Sequence, residues 1–241
     1  PPHTAYIKIA EGCSNHCSYC IIPELRGKFR SRPIDSIVRE ARHLAQHGAR
    51  ELILIAQDTT RYGEDLYGTY SLDRLLKEVS KIDEVRWIRV LYMYPTKLTD
   101  GLIQVIADEP KVCKYVDLPL QHVDDELLKL MNRHGRHEDA MQTIARLRQA
   151  VPDITIRSTF IVGFPGETEA KFRSLLDFLE EARLDRVGIF PYSPQSGTVA
   201  SHLPEHIEDN VKERRFQQAM EVQKRISREK NLATIGQITD V

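Results

Sequence analysis

The chain has 241 residues, 41% of them apolar and 29% charged, enough for one large or two small domains with a sizeable core, too polar for a membrane protein and too apolar for a disordered chain. Lys plus Arg (34) nearly balances Asp plus Glu (35), and a formal charge of -1 gives no general pull toward nucleic acid or anionic lipid, leaving only a local basic patch open. No run approaches the roughly 18 consecutive apolar residues of a membrane span, and the opening Pro1-Pro2-His3-Thr4-Ala5-Tyr6 lacks the apolar core of a secretory signal. The expectation is a cytoplasmic chain, away from membranes, cut from a longer protein.

In chain order, a strand predicted over 6–10 is followed by a helix over 34–47, whose Ile34, Ile37, Val38, Ala41, Leu44 and Ala45 share a face and which Gly48 caps. Strand 51–56 leads to helix 72–82, strand 87–92 to helix 99–107, and strand 115–118 to helices 124–132 and 137–150. Strand 154–162 leads to helix 168–182, and strand 186–190 closes the series. Six strands separated by crossover helices predict an α/β fold with a parallel sheet. An open doubly wound sheet and a barrel both satisfy this order, and both place chemistry in the loops after the strand ends. A charged helical stretch over 207–231 packs without a further strand, and 235–241 begins what reads as a new one. The expected division is a core over 1–205, a helical extension over 206–234 and the start of a truncated β-domain over 235–241.

Three of the four cysteines, Cys13, Cys17 and Cys20, follow the first strand within eight residues, and Cys113 lies far away. An odd cluster cannot pair off as disulfides, so a metal site is the better reading. Structural zinc takes four protein ligands, whereas an iron-sulfur cube held by three cysteines keeps one iron open to an outside ligand. The alternative is a zinc loop completed by His16 or Cys113, which makes the chain a non-catalytic, zinc-stabilised binding module; Cys113 itself reads as a small core residue.

The C-x-x-x-C-x-x-C spacing, with Tyr19 before the last cysteine, resembles the radical S-adenosylmethionine (SAM) enzymes. The resemblance implies a partial (βα)6 barrel with a C-terminal packing helix, a [4Fe-4S] cluster on Cys13, Cys17 and Cys20, and SAM chelated to the open iron and cleaved to a 5′-deoxyadenosyl radical. Glu11-Gly12-Cys13, Ile21-Ile22-Pro23, Arg26-Gly27, Ser31-Arg32, Met131-Asn132-Arg133 and Gly163-Phe164-Pro165-Gly166-Glu167-Thr168 further resemble the methylthiotransferases of that superfamily. Of their two branches, one modifies transfer-RNA adenosine and the other the β-carbon of an aspartate in a small-subunit ribosomal protein. Ala56-Gln57-Asp58-Thr59-Thr60-Arg61-Tyr62-Gly63 and Tyr115-Val116-Asp117-Leu118-Pro119-Leu120-Gln121-His122 resemble the ribosomal-protein branch. What this implies is a sulfur-inserting enzyme with the ribosomal protein as acceptor, transfer RNA only under the other branch, and an electron donor such as flavodoxin or ferredoxin. An N-terminal domain with a second cluster and a small C-terminal β-domain are expected outside this sequence.

Several further residues have two readings each. Gln57 and Asp58 leave the second strand where they can orient the methionine end of SAM, or simply fix the loop. Gln121 and His122 stand at the equivalent place after the fourth strand, with His122 a proton carrier or a satisfied structural histidine. Arg157 inside the fifth strand can pair with the cofactor carboxylate or form a structural ion pair. Gly163 opens a strand-to-helix turn whose backbone N–H groups can meet a ligand, or whose glycine serves only the dihedrals. Arg26, Lys28, Arg30 and Arg32 form a basic run that is a solvated face or steers an acidic or RNA-bound acceptor. No catalytic residue is assigned.

Overall fold

A computed structural model describes residues 3–238. Strands β1 (Thr4–Lys8), β2 (Glu51–Ile55) and β3 (Trp87–Val90) form one parallel sheet in that order, and β4 (Tyr115–Asp117), β5 (Thr155–Val162) and β6 (Arg186–Pro191) form a second. The halves meet between β3 and β4. There Ile88 bridges Val112 in parallel, the Ile88 N–H donates to Lys111 O at 2.7 Å, and the Met93 N–H donates to Asp117 O at 2.9 Å. The six strands therefore run in sequence order as one open arc with β1 and β6 as its edges, the partial barrel expected above and not a closed one.

The crossover helices are α1 (Ile34–Gln46), α2 (Leu72–Ser80), α3 (Asp100–Asp108), α4 (His137–Ala150) and α5 (Glu169–Ala182), followed by the terminal α6 (Asp209–Ala233). They cover one face of the sheet. Along β5, Ile156, Ser158, Phe160 and Val162 are buried while Thr155, Arg157, Thr159 and Ile161 are partly exposed, the alternation of a strand covered on one side. Phe160 meets Phe178 of α5 edge to face, with ring centroids 5.9 Å apart, so the buried set faces the helices and the Arg157 set lines the inside of the arc.

The first strand differs from its prediction for a local reason. Ile9 turns its N–H to Ile55 O while its carbonyl accepts from the Arg32 N–H, both at 2.9 Å, and the chain leaves the parallel sheet. Ala10–Glu11 then pair antiparallel with Arg30–Ser31, a two-residue ribbon too short to leave a periodic signal. Helix α6 buries Ala219 and Ile226 but also Lys212, Arg215 and Gln223, which is why its apolar pattern is faint. Residues 235 and 236 of the expected new strand lie in a turn after α6; 239–241 lie outside the described residues.

Asp117 closes β4 on the inner face, where its Oδ2 accepts from the Tyr92 N–H at 3.0 Å and Arg157 stands 3.7 Å from Oδ1. Burial pushes its carboxyl above the usual range, against the Tyr92 hydrogen bond and the Arg157 charge. The folded chain thus keeps this proton to higher pH than the unfolded chain, and stability falls as pH rises through that interval. Asp117→Asn is expected to raise the unfolding temperature at pH 7, with the gain vanishing below the unfolded carboxyl value of about 3.9. Thermal scans of both proteins across pH check this; a wild-type advantage at neutral pH contradicts it.

Candidate functional site

The cysteine loop leaves the sheet through Gly12, at φ 77°, where an added Cβ would collide with Lys28 O and lie 2.6 Å from Gly27 O. Only glycine lets the two stretches approach so closely. The Cys13 N–H then donates to Gly27 O at 3.1 Å, and the Cys20 N–H closes a turn on Cys17 O at 3.0 Å. The loop is pinned from outside as well. The Ser18 N–H donates to Met131 O at 2.9 Å, the Ala200 N–H to Ser18 O at 2.8 Å, and Asn132 Nδ2 to His16 O at 2.8 Å. Beneath it a small core of Leu127, Met131, Phe164, Tyr192 and Ala200 packs against Tyr19.

Cys13, Cys17 and Cys20 line a cavity of about 400 Å³ at the C-terminal ends of the strands, together with Gln57 after β2, Tyr92, Met93 and Tyr94 after β3, Pro119 and Gln121 after β4, and Arg133. All three cysteines are half-buried. Burial pushes the Cys13 and Cys20 thiols up, so a thiophilic metal centre must displace their protons to bind. Gln57 Oε1 is buried with no hydrogen-bond partner among the described residues, an acceptor held ready for a donor that enters the cavity. Gln121 sits at φ 72° while its N–H donates to Thr159 O at 2.8 Å and its carbonyl accepts from the Ile161 N–H at 2.7 Å. A left-handed residue locked into the sheet is strain typical of functional positions.

The donor set fits a cube better than a single ion. His16 is exposed, and its carbonyl, not its ring, is tied to the loop through Asn132. Cys113 pairs with Ile88 at the opposite end of the strands. Neither residue completes a tetrahedron, and among the described residues no three His, Cys, Asp or Glu side chains converge on one ion. A cube carries its thiolates on separate irons, which spreads them further apart.

Of the residues singled out from the sequence, Gln57 and Gln121 join the cysteines, and Asp58, Arg157, Gly163 and His122 do not. Asp58 is buried and engaged by protein: Oδ2 accepts from Asn15 Nδ2 and Lys97 Nζ, each at 2.8 Å, and Oδ1 from Thr60 Oγ1 at 2.5 Å. It anchors the cysteine loop through Asn15. Arg157 lies on the inner face beside Asp117, in a separate groove with Arg186 and Gly188. Gly163 is buried, its N–H given to Glu167 Oε2 at 2.6 Å, and an added Cβ would strike the Lys212 side chain. Its glycine serves packing against α6, and its N–H is not free for a ligand. His122 is structural: the Asp124 N–H donates to Nδ1 at 3.0 Å, which directs Nε2 at Glu167 Oε1, 3.2 Å away. In the basic run, Arg26 pairs with Glu11 and Arg32 with Glu40, while Lys28 and Arg30 point to solvent.

Sequence reasoning missed Asn15, Lys97, Tyr94 and Arg133. Lys97 reaches Asn15 Oδ1 at 2.7 Å and stands 4.7 Å from the Tyr94 ring centroid. Arg133 belonged to a motif noted for resemblance alone, with no role attached.

The model of the Radical SAM superfamily matches residues 7–179. The "Ribosomal protein uS12 methylthiotransferase RimO" of Geobacter sulfurreducens is 55% identical over 231 residues, covering 96% of this chain and 52% of the relative. The protein of that name from Desulforamulus reducens is 52% identical over 241 residues, covering 100% of this chain and 54% of the relative. The chain spans about half the length of the curated relatives it matches. Among solved structures, the Escherichia coli coproporphyrinogen III oxidase HemN, described as a radical SAM enzyme, superposes with a TM-score of 0.67 at 16% identity, over 91% of this chain and 52% of that one. The radical SAM methyltransferase TsrM of Kitasatospora setae, with cobalamin and a [4Fe-4S] cluster bound, also gives 0.67, at 18% identity over 82% of this chain and 38% of that one. Both likenesses are of fold.

Proposed function

The chain belongs to the radical SAM superfamily, and on that premise we propose that it is the catalytic core of a methylthiotransferase acting on an aspartate β-carbon of ribosomal protein uS12. The observation that carries this reading is the set of uS12 methylthiotransferases 51 to 55% identical over 96 to 100% of the chain. The three-thiolate cavity supports it independently. Cys13, Cys17 and Cys20 would hold a [4Fe-4S] cluster, which supplies the electron that opens the sulfonium of SAM. Gln57 and Gln121 would present amide groups to the polar end of SAM, and Tyr92, Met93 and Tyr94 line the same cavity. Residues 1–205 are the core in this reading and 206–234 a helical extension.

Transfer itself is assigned to the whole protein, including an N-terminal second cluster, with an electron donor such as flavodoxin or ferredoxin and the cytoplasm as the place of action. No helix among the described residues is long and apolar enough to cross a membrane. A deletion strain complemented with the full-length gene tests the reading by mass spectrometry. The expected result is loss and restoration of a methylthio increment on a uS12 peptide, with transfer-RNA nucleosides unchanged. Loss of methylthio-adenosine with unaltered uS12 would overturn it in favour of the transfer-RNA branch.

A further inference from the structure

Three consecutive residues after the short helix Asp125–Leu130 hold the cysteine loop, each by a different group. Met131 offers its carbonyl to the Ser18 N–H and Asn132 its side-chain amide to His16 O. Arg133 places Nη1 3.9 Å from Cys17 Sγ. Asn132 adopts φ 51° and the Arg133 N–H returns to Leu128 O at 2.8 Å, so the chain reverses at the helix end and aims the arginine inward. The guanidinium is then fixed in position. It lies 4.3 Å from the Tyr94 ring centroid, Nη2 donates to Pro119 O, and buried Nε has no partner among the described residues.

We infer that Arg133 is a positioning residue for the metal centre, whose guanidinium donates to the Cys17 sulfur and makes the centre easier to reduce. This rests on the cluster reading above. Reduction adds one electron to the cluster and breaks no bond, so it adds one negative charge to the group that Cys17 ligates. A fixed positive charge and an N–H···S hydrogen bond both favour the more negative state, and burial beside Tyr94 keeps water from screening them. Lysine cannot reproduce the planar fork that joins Pro119, Tyr94 and Cys17 at once.

The test is an anaerobic reductive titration of cluster-loaded protein, followed by electron paramagnetic resonance, with dithionite as electron source. Arg133→Gln is expected to lower the equilibrium constant for reduction about tenfold, a midpoint fall of about 59 mV. Arg133→Lys gives a smaller fall, and Arg30→Gln, an exposed arginine on the neighbouring ribbon, gives none. Iron analysis beforehand separates the two ways of failing. Wild-type protein that takes up no iron overturns the cluster reading and this inference with it. Loaded Arg133 variants that titrate at the wild-type midpoint overturn the inference alone, and where Arg133→Gln does not fold, the midpoint of Arg133→Lys decides.

Discussion

Replacing any one of Cys13, Cys17 or Cys20 by alanine is expected to reduce iron uptake from about four atoms per chain to less than one. In the proposed reading the loop would supply three thiolates to a cube that lacks a fourth protein ligand, and neither His16 nor Cys113 stands where it can substitute. The fold has little stake in these thiols. All three are half-buried, and the loop is pinned by backbone bonds from Cys13, Ser18 and Cys20 and by Asn132, none of which needs a sulfur. The metal-free variants should therefore unfold within about 1 kcal/mol of the wild type. Cys113→Ala should load iron normally. Iron analysis with absorption spectra after anaerobic reconstitution checks all four proteins. Full loading of Cys17→Ala, or loss of iron in Cys113→Ala, would refute the assignment, and about one zinc per chain without iron would favour the zinc-stabilised module.

The six strands and their helices were legible because each strand is a short apolar run and each helix carries an apolar face: Leu52 and Leu54 in β2 and Ile37, Ala41 and Ala45 in α1 are all buried. Cys13, Cys17 and Cys20 were legible as a cluster because they sit within eight residues, and the fold brings all three to one cavity. Contacts that cross the chain left no such trace. Arg133 reaches Cys17 over 116 positions, and Lys97 reaches Asn15 over 82. Nothing in local spacing reports these separations. Asp58 and Gly163 carried two readings each, and local spacing could not choose between them for a related reason. Position at a strand end makes a polar group available to a ligand only if the protein does not claim it first, and here Asn15, Lys97 and Glu167 do.

Glu167→Gln is expected to destabilise the folded chain by about 3 to 5 kcal/mol, the cost of breaking a buried ion pair from one side. Glu167 is 1% exposed and Arg215 4%. Arg215 Nη1 donates to Glu167 Oε2 at 2.6 Å and to Glu167 O at 2.8 Å, Oε2 also accepts from the Gly163 N–H, and Oε1 faces His122 Nε2. One carboxylate thus joins the ends of β4 and β5 to α6. A glutamine keeps a single acceptor oxygen, and whichever way it turns, its amide N–H groups face donors on Gly163 and Arg215 or on His122, leaving the buried guanidinium only the more exposed Glu169 carboxylate, 3.5 Å away. For a chain of this length the loss corresponds to an unfolding temperature lower by roughly 10 °C. Arg215→Leu should cost a similar amount by stranding the carboxylate. Combining Glu167→Leu with Arg215→Leu removes both charges and should cost less than the sum of the single changes. It should not return to wild type, because Gly163 and His122 lose their acceptor. Denaturant unfolding of the wild type, Glu167→Leu, Arg215→Leu and the double variant measures this cycle, with Glu167→Gln measured beside it. Additive effects, or a Glu167→Gln cost under about 1 kcal/mol, would mean that α6 is held by its apolar contacts at Ala219 and Ile226 and not through Glu167.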